Sequence, residues 1–397
     1  MAKKLKDKFL SNSFKILKKE LRGILQPDEI KDIKKKMSES WNNIIQDWGN
    51  VCLDNLTKDE YKKRINRLAE HFSIYLTDKV KLNVIKSNYE KCFAHVQPSD
   101  NPLILIVAGA IASGKSTVAN YVVPEKYGSD SFGVINKDVL KASTIFRELI
   151  NNEFGEENGN LIRDYMLPLR ESISLMAIAN KKSILLEQSC KTTDFLDTCE
   201  YAIRNNYKIY AEIVITPLAF TCLRNGYRYV TGLIKDQDNG TNSARYEAFV
   251  NIEGTYHNAP LVLNKLEKIA ENMTVYTADL LKTDITGKTM QEVFLKITNG
   301  SVSDVLYEIS VRMLNFIDAN INYIANSDIV RQLNFAREKL SQLSDNPGLI
   351  YKAMPQEWQT KSLIEQLDEL NAPLGFGYSE RLMENASESG VPQLITI

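Results

Sequence analysis

Histidine is scarce in this 397-residue chain, at three copies, and its five cysteines (Cys52, Cys92, Cys190, Cys199, Cys222) never fall in a CxxC spacing. That shortage argues against a zinc site, and the odd thiol count against a disulfide framework, so the cysteines read as reduced intracellular thiols. Eleven prolines and 18 glycines are few, while 44% of residues are hydrophobic and 25% charged. Such a balance excludes collagen-like and wholly disordered chains. Long apolar runs are missing too: the longest, Leu103–Ala112, has ten residues, about half of what a membrane-spanning helix needs. The basic N-terminus, MAKKLKDKFLSNSFKILKKEL, has charges wherever a signal peptide would need an apolar core. A soluble, cytoplasmic protein without a transmembrane segment is the expectation.

Charge of one sign is also lacking overall, since the net value is −1. Residues 1–40 hold twelve Lys/Arg against six Asp/Glu, so residues 41–397 sum to −7. An acidic core is a poor nucleic-acid binder, because phosphate neutralisation supplies most non-specific affinity. The basic N-terminal stretch reads as a solvated face, with docking on acidic lipid or a partner as the rival.

What is present is a chain longer than one core usually fills, and it divides into three parts. Residues 1–97 carry helical spacing, as at Leu10, Phe14, Leu17, Leu21 and Ile24. The cluster Gln97-Pro98-Ser99-Asp100-Asn101-Pro102 then marks a boundary. Residues 98–300 alternate apolar β-type runs (Leu103–Val107, Phe132–Ile135, Ser183–Leu186, Ile209–Ile215, Met273–Tyr276) with helical patterns (Lys115–Val122, Val139–Asn151, Arg163–Asn180, Pro260–Ala270). That order predicts an α/β fold with a mostly parallel sheet flanked by helices. Residues 301–397 return to helix.

After the first strand comes Gly109-Ala110-Ile111-Ala112-Ser113-Gly114-Lys115-Ser116, a complete Walker A sequence, with Thr117 opening a helical pattern. The glycines allow successive N–H groups to face a polyphosphate, and the helix start adds a favourable dipole. Lys115 is placed to reach the β- and γ-phosphates of ATP, and the Ser116 hydroxyl to ligate Mg²⁺. Asn136-Lys137-Asp138 follows the second strand, but its spacing is not that of a guanine-specificity motif and no DxxG precedes it. Asp138, 22 residues past Ser116, instead sits where a sheet's carboxyl edge faces the γ-phosphate. There it can take a proton from an attacking hydroxyl, or cap the helix that follows, or do both. The third strand ends in Glu187-Gln188-Ser189-Cys190-Lys191-Thr192-Thr193-Asp194. Alternation on a strand puts Glu187 and Ser189 on one face, towards the ligand crevice; an ordinary turn with Thr193 or Asp194 capping the next helix is the equal alternative.

Gly109–Thr117, the Asn136-Lys137-Asp138 turn and the run LLEQSCKTTD together resemble the zeta toxin family of P-loop kinases, over about residues 100–280. The resemblance implies ATP-dependent phosphorylation of a sugar hydroxyl of UDP-N-acetylglucosamine, or of NAD by effector relatives. It implies that Lys115 and Ser116 hold phosphates and Mg²⁺, that Asp138 is the base, and that Glu187 and Ser189 bind the acceptor. It further implies two arginines at the transferring phosphoryl group. Arg228 of Tyr227-Arg228-Tyr229 matches the first, with Arg224 one turn earlier as rival, and Arg245 the second. Departures are Asn136 and Lys137 for more acidic residues, Gln188 for a frequent Gly, and Ser189 for Thr. His257 falls where relatives often have His, and a capping or packing role is expected of it.

The same resemblance implies an antitoxin-like partner across the nucleotide cleft, a role the N-terminal helices can fill in cis. At the far end, Glu380, Glu384 and Glu388 before Leu394-Ile395-Thr396-Ile397 resemble the tails of effectors exported by type IV systems into host cells, with a frayed, solvated tail as the alternative. Two rival functions remain: a P-loop kinase of nucleic-acid ends, and a nucleotide-gated interaction module without phosphotransfer.

Overall fold

The computed structural model describes residues 26–29, 31, 32, 35, 78–135, 163–239, 244, 246–324, 326–340 and 365. In chain order these form α1 (Asp78–Phe93), β1 (Leu103–Gly109), α2 (Lys115–Thr117), a π-turn (Val118–Val122), α3 (Val123–Tyr127) and β2 (Gly133–Ile135). There follow α4 (Arg163–Ala179), β3 (Ile184–Gln188), α5 (Asp194–Arg204), β4 (Lys208–Val214) and α6 (Leu218–Asn239). The order closes with α7 (Phe249–Glu267), β5 (Asn272–Tyr276), β6 (Lys282–Thr283), α8 (Met290–Thr298), α9 (Asp304–Ala319) and α10 (Ser327–Leu340). The chain splits into two compact units, residues 1–94 with 135–177, and residues 95–134 with 178–397.

In the first unit, α1 stacks Tyr89 on Phe93, one turn apart, at a ring separation of 5.2 Å. In α4 the Ser174 hydroxyl donates back to the Arg170 carbonyl at 2.9 Å.

The second unit is built on a six-stranded sheet in the order β2-β3-β1-β4-β5-β6. Pairings β1–β3, β1–β4 and β4–β5 are parallel, and β6 adds an antiparallel edge to β5. All seven residues of β1, LILIVAG, are buried. An unbroken apolar run is what a central parallel strand covered on both faces requires. Glu212 interrupts the same pattern in β4 and is 1% exposed. Its carboxylate accepts from Lys126 Nζ at 2.9 Å and from the Tyr127 hydroxyl at 2.8 Å. Burial and the Glu212 charge both push the Tyr127 phenol well above its ordinary range. The helical stretch after the first loop is thereby tied to the middle of the sheet.

β1 sits between β3 and β4, so the crossovers leave it in opposite directions and a crevice opens at the carboxyl ends of the strands. α6 packs beside this edge and takes α9 and α10 against it. At the α6–α10 contact a Cβ on Gly226 would come 2.7 Å from Leu333 Cδ2, so a larger residue there requires the Leu333 side chain to shift. Tyr227 meets Phe316 of α9 edge-on at 5.4 Å. α9 itself starts on Ser303, whose N–H and hydroxyl both donate to the buried Asp279 carboxylate.

The five expected strands are present, each with its ends shifted by no more than two residues. The expected helix at residues 260–270 is corrected: it starts at Phe249, with Pro260 in its interior. Proline at a first turn is the commoner reading, and here the helix instead gives up the bond that a donor at 260 would make to the Tyr256 carbonyl. The helix expected at Val139–Asn151 lies outside the described residues.

Candidate nucleotide-binding and phosphotransfer site

The loop between β1 and α2 is shaped by steric exclusion. A Cβ on Gly109 would lie 2.4 Å from the Val214 carbonyl oxygen of the neighbouring strand, so no other residue fits. Ala112 and Gly114 both take left-handed backbone, at φ 59° and 106°. The Ser113 N–H closes a turn on the Ala110 carbonyl at 3.2 Å, and the Thr117 and Val118 N–H groups begin the helix on the Gly114 carbonyl. The helix start therefore offers donors that no intrahelical carbonyl can reach, at the positive end of the peptide dipoles. Ser113 is wholly buried and its hydroxyl has no hydrogen-bond partner. Lys115 Nζ donates to the Ala110 carbonyl at 2.6 Å, which folds its ammonium over the loop.

Two of the residues singled out in the sequence meet here. Val107 of β1 is in register with Glu187 of β3, and the exposed Ser116 hydroxyl lies 3.5 Å from Glu187 Oε2. No cluster of three His, Cys, Asp or Glu able to hold a metal exists among the described residues. A hydroxyl and one carboxylate suit Mg²⁺, which commonly completes its shell from water and substrate phosphates. The donor set thus fits the ion that the loop implies.

β3 ends at Gln188, so Ser189 opens a turn rather than continuing the strand, and the Lys191 N–H closes that turn on the Ser189 carbonyl at 2.6 Å. Gln188 is buried, whereas Glu187 and Ser189 beside it are half-exposed. Alternation turns its side chain away from Glu187. Cys190 lies beneath the phosphate loop: burial pushes its thiol up to about 12, against the lowering effects of Lys115 and of a bond from the Gly109 N–H. Thr193 stands at the N-cap position of α5 without a side-chain cap bond; the Thr192 hydroxyl donates to Asp194 at 3.0 Å instead.

The turn is held by α7. Lys191 Nζ donates to Asn251 Oδ1 at 2.6 Å, and Asn258 Nδ2 donates to the Lys191 carbonyl at 3.0 Å. These two asparagines were not foreseen; seven residues apart, they share a helix face, but a spacing of two polar residues is too common to single out. His257 is exposed on the same helix.

Arg228 is exposed on α6 and its Nη2 donates to Asn225 Oδ1 at 3.0 Å. Arg224, one turn earlier, carries its guanidinium 5.6 Å from the Phe220 ring centroid, with a buried Nη1 that has no hydrogen-bond partner. Burial, and then the neighbouring Arg228 charge, lower its pKa to about 10. Asp138, with Asn136 and Lys137, lies outside the described residues, as does Arg245. On either side of Arg245, Ala244 donates its N–H to Asp236 Oδ2 at 2.6 Å, and Tyr246 meets Tyr229 edge-on at 5.5 Å.

Residues 86–288, half of the chain, match the family model described as Zeta toxin. The chain belongs to the zeta toxin family. No curated protein matches it. Among solved structures it is similar to one from the PezAT chromosomal toxin-antitoxin system of Streptococcus pneumoniae, with a TM-score of 0.50 at 17% identity, covering 62% of this chain and 96% of that one. At that identity the likeness is one of fold. Lower scores, 0.41 and 0.43 at 14% identity, are given by the AvrRxo1-ORF1:-ORF2 complex in its native form and with ATP. These cover 74% and 76% of this chain, and 95% and 97% of theirs. The match to the zeta toxin model begins in α1 and ends before α8, so α8, α9 and α10 lie beyond it. No described helix is long and apolar enough to cross a membrane.

Proposed function

We propose that this zeta toxin family member transfers the γ-phosphoryl group of ATP to a hydroxyl of a nucleotide-sugar such as UDP-N-acetylglucosamine, or of a related dinucleotide such as NAD, and acts as a toxin or effector. The observation that carries the reading is the meeting of Ser116 with Glu187, 3.5 Å apart, at the mouth of a glycine-shaped phosphate loop. Donors for the polyphosphate and a carboxylate for the cation or acceptor are thus side by side, at the carboxyl edge of a parallel sheet.

In this mechanism the loop N–H groups and Lys115 hold the β- and γ-phosphates. Mg²⁺, held through Ser116 with Glu187 beside it, would neutralise phosphate charge. Asp138 accepts the acceptor hydroxyl's proton as that oxygen bonds to the γ-phosphorus; the bond from phosphorus to the β–γ bridging oxygen breaks and ADP leaves. Arg228 and Arg245 meet the negative charge spread over the transferring group. Glu187 and Ser189 also orient the sugar or ribose hydroxyls, on a turn that Asn251 and Asn258 keep in place. Around this core, residues 1–97 serve as a regulatory or docking region, opposed to an antitoxin-like or host partner. The tail ending at Ile397 serves export.

The test is mass spectrometry of a metabolite extract incubated with the full chain, Mg²⁺ and ATP, with Asp138→Asn as control. A species heavier by about 80 Da, one phosphoryl group, formed only by the wild type is the expected result and names the acceptor. Equal product from Asp138→Asn removes the base assignment, and ATP binding without any product removes the kinase reading.

A further inference from the structure

α10 lies beyond residues 86–288, yet its side chains reach the helix that carries Arg228. Gln332 is fully buried; its Nε2 donates to the Glu247 carbonyl at 2.8 Å and to Asp328 Oδ2 at 3.1 Å. Its Oε1 accepts from Asn225 Nδ2 at 2.8 Å. Asn225, equally buried, sends its second donor to the Glu247 carbonyl at 2.9 Å. Asn225 Oδ1 accepts the Glu247 N–H at 3.1 Å and Arg228 Nη2 at 3.0 Å. Asp328 also accepts the Phe249 N–H at 2.8 Å.

An amide group has two donors and one acceptor oxygen with two lone pairs, and Asn225 uses all of them. It cannot turn without breaking four bonds, so the oxygen on which Arg228 rests is fixed in direction. Glu247, two residues past Arg245, has both its N–H and its carbonyl held by the same chain of amides. On the other side, Ala244 is held by Asp236 and sits so near α6 that a Cβ on Gly232 would be 2.8 Å from its Cα.

We propose that α10 positions Arg228 for phosphoryl transfer. Gln332 is a positioning residue that acts through Asn225 on Arg228, and Asp328 acts by holding Gln332. This rests on the reading that Arg228 serves the transferred phosphoryl group. A group that serves the γ-phosphate shows itself as a preference for ATP over ADP, which needs no knowledge of the acceptor.

The experiment measures the dissociation constants of ATP and ADP by calorimetry, on the full chain, for wild type, Arg228→Ala, Gln332→Met and the double variant. Leu333→Ala, which empties the α6–α10 contact without touching the amides, is the control for mere loosening of α10. Arg228→Ala is expected to weaken ATP about tenfold, the worth of one charge-assisted bond, and to leave ADP unchanged. Gln332→Met is expected to do the same, with no further loss in the double variant. Leu333→Ala is expected to lower Tm yet keep the preference. Should Gln332→Met fail to fold, Asp328→Asn, equal in shape, is expected to reduce the preference in the same direction.

Loss of the preference in Arg228→Ala but not in Gln332→Met or Asp328→Asn overturns the positioning role alone. So does an equal loss in Leu333→Ala, or an additive double variant. A wild type that binds ATP no better than ADP, with Arg228→Ala unchanged, overturns both this role and the use of Arg228 in transfer.

Discussion

At the scale of single residues, the site is a set of short chemical contacts made by groups far apart in the chain. Ser116 and Glu187 are separated by 71 positions and meet because β1 and β3 are parallel neighbours in fixed register. Glu187→Gln keeps the shape of that contact and removes its charge. It is expected to raise the Mg²⁺ concentration needed for tight ATP binding roughly tenfold, while binding of ATP without Mg²⁺ stays as in the wild type. A Mg²⁺ titration followed by nucleotide fluorescence checks this, and an unchanged midpoint would return Glu187 to acceptor binding alone. Residues of this kind were legible beforehand because their chemistry is tied to a motif. Asn251, Asn258 and Gln332 were not, since an amide's partners depend on tertiary placement and leave no local pattern.

Among elements, strands were easier to read than helices. An apolar run such as LILIVAG admits few alternatives, whereas a helix start depends on capping that propensity rarely dictates. Pro260 illustrates this, having the residue type of a first turn while sitting inside α7. The tie between α3 and β4 is an element-scale feature with a measurable cost. Lys126 and Glu212 are 3% and 1% exposed at their side chains, so removing one leaves the other charged and unpaired. Glu212→Ala is expected to cost about 3–5 kcal/mol of unfolding free energy. The paired change Lys126→Met with Glu212→Gln is expected to recover most of that loss. Denaturant titrations decide it: a cost below about 1 kcal/mol for Glu212→Ala would mean that water reaches the pair.

For the molecule as a whole, α9 and α10 belong to the same compact unit as the sheet. Their apolar faces close over Tyr227, Gly226 and Phe249, through Phe316, Leu333 and Phe335. Shortening the chain to end at residue 288 would uncover this surface. The shortened protein is expected to aggregate on expression, or to unfold at least 10 °C lower than the full chain, about the effect of losing a few kcal/mol in a domain of this size. A soluble product with the full chain's Tm would show that the helices are dispensable. The close seat of Leu333 on Gly226 has an implication for how such a protein can change over generations. The stretch that matches the zeta toxin family and the helices beyond it share one packed contact: a recombination event that brings in new C-terminal helices has to restore a side chain that seats on α6 at Gly226.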